Sequence, residues 1–172
     1  GLPMSAMPVP DRAALALAWT ALAADDVTME AAFALARAAN VDDLIEGLRA
    51  FHGPQMNFVI ADAAGDIAFV AAGRVPVRRD HDGWFPSEAA TGKGDWIDHI
   101  PYESLPSTRN PASGRLLTAN QRITPAGYPY MIAKSWPTGY RARRIGAMLD
   151  ARKAHDVAEF QAMQTDTLSL MA

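Results

Sequence analysis

The chain has 172 residues, of which 49% are hydrophobic and 20% are charged, values typical of one globular domain with a single core. They exclude a disordered chain and a collagen-like repeat. The net charge of −3 supplies no positive field for phosphate backbones, so nucleic acid is not an expected partner. Cysteine is absent, which excludes disulfides, a thiolate nucleophile and a cysteine-ligated zinc site. No apolar run approaches the about 20 residues needed for a membrane helix.

The first third of the chain is predicted to be helical. Leu15, Trp19 and Leu22 recur at offsets of four and three, the spacing of a helix with one buried stripe. Two further helices have the same periodicity and begin at residues that can cap a helix. The three predicted helices are residues 11–24, a segment that Thr28 caps and that ends before Asn40, and residues 43–51 capped by Asp42.

The periodicity then changes from that of a helix to that of a strand. Residues 55–62 and 67–72 are two β-prone runs joined by a turn with Gly65 at its centre, which predicts a hairpin. Both runs are almost entirely apolar, so we expect a sheet that is covered on both faces. A third strand is predicted at residues 74–78, where Pro76 restricts it to an edge or a bulge.

The second half alternates loops with regular elements. Residues 79–111 are rich in glycine, proline and aromatic residues, as expected of a functional loop held by aromatic anchors. The following elements are predicted to be a strand at residues 115–120, a basic helix at 141–151 and a helix opened by an Asp156–Glu159 capping box. We therefore predict one α+β domain over residues 1–172, helical in 1–53 and 139–172, with strands and a long loop in 55–122.

Local motifs give no strong candidate for chemistry. The four histidines lack the i, i+4 spacing of a zinc protease helix, and Gly92-Lys93-Gly94 lacks the spacing of a phosphate-binding loop. Ser113 lies in a turn before a predicted strand, without the first glycine of a nucleophile elbow, and is interpreted as a turn serine. The arginines at 141, 143 and 144 could bind an anion or face solvent.

Several stretches of the sequence, in the same order along the chain, resemble those of one protein family. Residues 55–69 (QMNFVIADAAGDIAF) and 71–78 (AAGRVPVR) are similar to a hairpin and strand of the penicillin acylase β chain. The resemblance continues through a tryptophan-rich loop, a proline-rich turn and a tyrosine-containing segment. These stretches are residues 91–96 (TGKGDW), 100–106 (IPYESLP), 110–114 (NPASG), 118–122 (TANQR), 128–130 (YPY), 140–145 (YRARRI) and 163–170 (MQTDTLSL).

The resemblance runs from about residue 13 onward and implies an interior part of a several-fold longer N-terminal-nucleophile amidase. It implies an αββα sandwich in which helices flank antiparallel strands, of which this chain would form part. It also implies hydrolysis of acyl amides by the first residue of the β chain, a serine freed by autoproteolysis whose α-amine acts as base. No residue here matches that serine, so we expect the chain alone to be inactive.

The resemblance carries two site residues to this sequence. Asn120 matches the asparagine whose side-chain amide donates a hydrogen bond to the oxyanion of the tetrahedral intermediate. Arg141 matches an arginine that supports this asparagine and the amine of the nucleophile, with Arg143 as the competing choice because the intervening segment differs in length. Gln121 replaces a second asparagine of the family motif.

The remaining expectations concern ligands and partners. We expect no cofactor, and no calcium site because residues 128–132 lack the acidic ligand of some relatives. The expected partners are the remaining α and β segments of the parent acylase and a small acyl-amide substrate such as a β-lactam or an acyl-homoserine lactone, and the isolated chain is expected to self-associate through uncovered sheet surface. The family suggests a periplasmic location. A non-catalytic structural or partner-binding module is the alternative.

Overall fold

The computed structural model describes residues 14–171, and within them the chain combines α-helices with antiparallel β-sheets. The strands form a three-stranded sheet, in the order β1-β2-β5, and a two-stranded sheet of β3 and β4. The α+β prediction is therefore confirmed. The elements are α1 (Thr28–Arg37), α2 (Val41–Gly47), β1 (Met56–Ala61), β2 (Ile67–Ala72), β3 (Pro76–Arg78), β4 (Trp96–His99), β5 (Ser107–Arg109), α3 (Tyr140–Asp150) and α4 (Val157–Gln164).

The predicted hairpin is present as β1 and β2, paired from Met56 opposite Ala72 to Ala61 opposite Ile67. Gly65 has a φ of 95° in the turn, a left-handed conformation that favours glycine. Asp62 stabilises the turn because its carboxylate accepts hydrogen bonds from the backbone N–H groups of Ala64 and Asp66. Its second oxygen accepts from Val41 N at 3.1 Å, which joins the hairpin to the start of α2.

The two hairpin strands differ in burial. In β2 all residues after Ile67 are buried, because this strand lies between β1 and β5. The edge strand β1 leaves Met56 and Val59 each 48% exposed. The expectation of a sheet covered on both faces is therefore confirmed for β2 and wrong for β1 within the described residues.

The second and third predicted helices are present as α1 and α2, but their caps differ from the prediction. Thr28 is the first residue of α1 and does not cap it; its hydroxyl donates to Asp26 and accepts from His52 N. Asn40, not Asp42, caps α2, since its side-chain oxygen accepts from Asp43 N at 2.9 Å. The predicted third helix is shorter than residues 43–51, because a 3-10 turn at Leu48–Ala50 follows α2.

The predicted helix at residues 11–24 is wrong over its described part. Residues 11–13 lie outside the described residues, and the rest forms only one 3-10 turn, Thr20–Leu22. Leu15, Trp19 and Leu22 are all more than half exposed. A short helix gains most of its stability from packing its apolar stripe, and this stripe packs against no buried core in residues 14–171.

Two apolar clusters form the core and share Tyr102. The first contains Leu48, Val70 and Ala72, with Phe51 and Phe58 packed edge to face beside them. The second contains Val75, Ile100 and Leu105. Tyr102 packs against both clusters and donates its hydroxyl to the Ile45 carbonyl at 2.6 Å, so it connects α2 to both sheets.

The segment 79–111, expected to be a loop, contributes two short strands. β4 pairs with β3 next to a bulge at Val77/Arg78, consistent with the restriction that Pro76 imposes. β5 pairs with β2 and completes the larger sheet. These strands are too short to show a clear alternation in the sequence.

The predicted strand at residues 115–120 is absent: residues 115–118 have no regular structure, residues 119–121 form a bend, and the segment pairs with no strand among the described residues. The reason is that its polar groups bond to α3, to a side chain of β1 and to each other, as described below. The two C-terminal helices are confirmed as α3 and α4, and the Asp156–Glu159 capping box is present. No helix in residues 14–171 has the length and apolar character needed to cross a membrane.

Candidate functional site

Asn120 and Arg141, the two predicted site residues, are in direct contact. Nη2 of Arg141 donates a hydrogen bond to Oδ1 of Asn120 at 2.7 Å. A guanidinium group can only donate, so the amide atom that faces it is the oxygen. The amide NH₂ of Asn120 therefore points away from Arg141, and no acceptor for it is found within residues 14–171.

The backbone of Asn120 is left-handed. Its φ is 65°, a region that non-glycine residues rarely occupy and that asparagine tolerates better than most. Asn120 lies at the centre of a bend at residues 119–121, and its side chain contacts α3. Such local strain persists only where the surroundings hold it.

The segment 115–121 runs antiparallel to α3. At one end Arg115 forms an ion pair with Asp150, the last residue of the helix. In the middle, a methyl group added at Gly146 would lie 3.6 Å from Leu117 Cδ2. At the other end Asn120 bonds to Arg141. The helix thus supports the segment at three points along its length.

One side-chain hydrogen bond joins this segment to the larger sheet. Nδ2 of Asn57, the second residue of β1, donates to the Thr118 hydroxyl at 2.9 Å. Asn57 is the polar residue in an otherwise apolar strand, Met56–Ala61. Asn120 therefore lies two residues from a contact with the sheet.

The three arginines of α3 have three different partners. Arg143 stacks its guanidinium 4.6 Å from the Tyr140 ring, and Arg144 donates two hydrogen bonds to Asp166. These hydrogen bonds lower the pKa of the Asp166 carboxyl from its ordinary value. Only Arg141 contacts Asn120. The competing choice, Arg143, makes no such contact among the described residues.

The positive charge of Arg141 lies at an end of α3 where it does not stabilise the helix. It is the second residue of α3, whose first turn contains no acidic residue. A cation at a helix N-terminus is opposed by the helix dipole, typically by a few tenths of a kcal/mol. The contact with Asn120 offsets this cost.

A cavity of about 390 Å³ is lined by residues that follow Asn120 in the sequence, the first of which is Arg122. Its lining includes Arg122, Tyr130 and Trp136, a mixture of cationic and aromatic groups. Asn120 does not line it. This volume is within the range of small-molecule sites.

The other sequence candidates have structural partners. The Ser113 hydroxyl donates to the Arg115 carbonyl at 3.1 Å, as expected of a turn serine. His52 accepts from Val27 N, and His155 contacts the Leu149 carbonyl. In residues 14–171 no three histidine, aspartate or glutamate side chains form a group that could hold a metal ion.

Two contributors to the geometry were missed by sequence reasoning. Gln121 forms two hydrogen bonds with the backbone of residues 117–119, and Asn57 anchors Thr118. The signal for Asn57 was present, because a lone amide in an apolar strand needs a partner. Sequence analysis identified Gln121 as a replacement for the second asparagine of the family motif, but it did not predict which backbone groups its side chain bonds.

Comparison with known proteins identifies relatives over most of the chain. The family model for penicillin amidase matches residues 3–172. The acyl-homoserine lactone acylase QuiP of Pseudomonas fluorescens (strain Pf0-1) is 35% identical over 148 residues, covering 86% of this chain and 18% of that protein. The penicillin acylase 2 proenzyme of Pseudomonas sp. (strain SE83) is 32% identical over 157 residues, covering 91% and 20%.

The fold is also similar to a solved structure. A thermostable penicillin G acylase from Alcaligenes faecalis superimposes with a TM-score of 0.64 at 21% identity, over 81% of this chain and 25% of that chain. This confirms the fold expected from the resemblance. The chain spans about a fifth of the length of the curated relatives above. By the family model and these relatives, the chain belongs to the penicillin amidase family.

Proposed function

We propose that this chain supplies the oxyanion-binding amide of an acylase that hydrolyses acyl amides. The observation that carries the proposal is the 2.7 Å hydrogen bond from Arg141 to Asn120 Oδ1, which directs the amide NH₂ away from the arginine. The cation also polarises the amide, which makes its N–H groups stronger donors. Family membership supports the same role.

The proposed reaction uses a serine outside residues 1–172. The hydroxyl oxygen of this serine bonds to the substrate carbonyl carbon, and its proton passes to its own α-amine. The carbonyl oxygen becomes an oxyanion that accepts a hydrogen bond from Asn120 Nδ2. The C–N bond then breaks, the leaving amine takes the proton, and water hydrolyses the acyl ester.

The proposed substrates are N-acyl amides. The relatives are named as acylases of acyl-homoserine lactones and of penicillin, and both leaving groups are attached through an amide. β-Lactams, acyl-homoserine lactones and related N-acyl compounds are therefore the panel to test. Autoproteolytic release of the serine and a periplasmic location belong to the same proposal.

The partners in this proposal are the other α and β segments of the parent acylase. Several apolar side chains of the described region are largely exposed, among them Met29 and Phe33 on α1 and Met56 and Val59 on β1. Exposed apolar surface of this kind is expected to be covered in a larger protein. The chain alone is proposed to be inactive and to self-associate.

The test is Asn120→Ala in the full-length enzyme. Removing one oxyanion donor is expected to lower kcat by about 10²–10³-fold. Asn40→Ala is the matched control, because it removes an asparagine that caps α2 and is expected to cost about 1 kcal/mol of stability without changing kcat.

The alternative is a non-catalytic structural or partner-binding module. Full turnover in Asn120→Ala would refute the oxyanion role. Absence of any acyl-amide hydrolysis by the complete, processed enzyme across the substrate panel would favour the alternative.

A further inference from the structure

Gln121 bonds to the backbone of its own segment at two places. Its side-chain oxygen accepts a hydrogen bond from Ala119 N at 2.7 Å, and its side-chain nitrogen donates to the Leu117 carbonyl at 3.3 Å. One half-buried amide group therefore satisfies a backbone donor and a backbone acceptor on the same side of Asn120.

Backbone–backbone hydrogen bonds do not support this segment. Between Arg115 and Thr124, no such bond joins residues that the structure describes. A strand would satisfy these groups through a ladder, and Gln121 replaces part of that ladder with its side chain. The segment can therefore run without a partner strand and then bend at residues 119–121, where the φ of Asn120 is 65°.

Asn120 is thus held in two independent ways. Arg141 fixes the oxygen of its side chain, and Gln121 fixes the backbone immediately before it. The direction of an amide NH₂ depends on both, because a backbone rotation at residue 120 moves the whole side chain. We propose that Gln121 is a positioning residue that sets the direction of the Asn120 amide in the oxyanion site.

The chemistry of a glutamine suits this task. It provides one acceptor and one donor at the end of a side chain long enough to reach residues two and four positions back. Glutamate retains the acceptor for Ala119 N but faces the Leu117 carbonyl with a second oxygen. Leucine fills a similar volume and makes neither bond. The proposal rests on the proposed oxyanion role of Asn120.

The experiment compares Gln121→Leu and Gln121→Glu with Gln164→Leu in the full-length enzyme. Gln164 ends α4, is exposed and makes no side-chain hydrogen bond among the described residues. Gln121→Leu is expected to lower kcat about 10- to 100-fold with KM changed less than threefold, since a small misplacement of a catalytic group has an effect of this size. Gln121→Glu is expected to lose less, and Gln164→Leu is expected to match the wild type.

A double-mutant cycle separates positioning from a general structural role. In an Asn120→Ala background, Gln121→Leu is expected to change kcat less than twofold, because the group that it positions is already gone. Equal losses in both backgrounds, or a wild-type kcat in Gln121→Leu, would overturn the inference. If Gln121→Leu does not fold, the same cycle with Gln121→Glu decides.

The cycle also distinguishes the two proposals. Loss of activity in Asn120→Ala with wild-type turnover in both Gln121 variants would refute only the positioning role. Full activity in Asn120→Ala would refute the oxyanion role, and the positioning role with it.

Discussion

Two regions of the molecule are stabilised in different ways. Residues 28–109, the core region, contain every buried apolar side chain of the described chain, from Ala31 to Leu105. Residues 110–171, the polar region, contain no buried residue among those described. The polar region is held by ion pairs, by side-chain hydrogen bonds and by the packing of partly buried apolar side chains such as Tyr130 and Ile132.

With the role proposed above for Asn120, the difference corresponds to a division between stability and function. Burial of apolar area is the main source of folding free energy, and it lies in the core region. Asn120 and Arg141 lie in the polar region, where direction is set by hydrogen bonds of fixed geometry. We therefore expect substitutions in the core region to act on stability and those near Asn120 to act on turnover.

Leu48→Ala gives the largest expected effect and tests the first half of this comparison. Leu48 is fully buried against Val70 and Ala72, and removing such a side chain costs about 2–5 kcal/mol. Hydrogen exchange at the β2 amides of the full-length enzyme should become faster, while kcat per folded molecule remains within twofold of the wild-type value. A collapse of kcat with unchanged protection of β2 would contradict the division.

Arg141→Ala and Arg143→Ala test the expectation that substitutions near Asn120 act on turnover. Arg141 makes a charge-assisted hydrogen bond, worth about 1.5–3 kcal/mol, so its loss should lower kcat about 10- to 100-fold. Arg143 stacks on Tyr140 and makes no contact with Asn120, so its variant should keep wild-type turnover. Steady-state kinetics of the two full-length variants is the measurement. The reverse order of effects would assign the role to Arg143.

Asn57→Ala tests the connection between the two regions. The Asn57–Thr118 hydrogen bond is partly buried, and its loss should cost about 1 kcal/mol. The effect should appear as faster amide exchange in residues 115–121, with β2 unchanged. Thr118→Ala should produce the same change, and the double variant should add little to either one. Fully additive effects would show that the two side chains act separately.

The smallest expected effect is a pH dependence at His52. Burial lowers the pKa of this imidazole below its ordinary value of 6.5. Arg74 and His99 lower the pKa further, whereas Asp26 and Asp25 raise it. Neutral His52 accepts from Val27 N at 3.3 Å. The unfolded chain binds more protons as pH falls below about 6.5, so folding loses stability there.

The measurement is the free energy of unfolding of the full-length enzyme against pH. His52→Gln should flatten the curve between pH 7 and the lower folded-state pKa. An identical slope in the variant would show that other groups set the dependence.

Sequence reasoning predicted the longer, periodic elements better than the short strands, in both regions of the molecule. The hairpin was recognisable because Gly65 lies between two apolar runs, and burial of those runs then determined the pairing. Helices α1, α3 and α4 also followed from periodicity and from the capping box at Asp156. Short strands such as β5 were missed because three residues carry no periodic signal.

Two of the errors share a physical cause, which is competition from side-chain hydrogen bonds. Residues 115–120 have the composition of a strand, but Gln121 satisfies backbone groups of Leu117 and Ala119 that a ladder would use. Asn40 precedes Asp42 as a cap because its oxygen reaches the N–H of Asp43. The contact of Asn120 with Arg141 spans 21 positions of sequence. Only the family resemblance suggested it.

The attachment of residues 115–121 to α3 has a consequence for how the family can vary. The nine residue steps of helix from Arg141 to Asp150 rise about 13.5 Å, and five steps from Arg115 to Asn120 span at most about 16 Å, so the two lengths nearly match. One inserted residue in the helix would swing Arg141 about 100° around the axis, away from Asn120. The loop 122–139 is not part of this length match, although Tyr130 and Ile132 attach it to the core region. Insertions and deletions can therefore accumulate on either side of these two residues while the amide and the guanidinium keep their register.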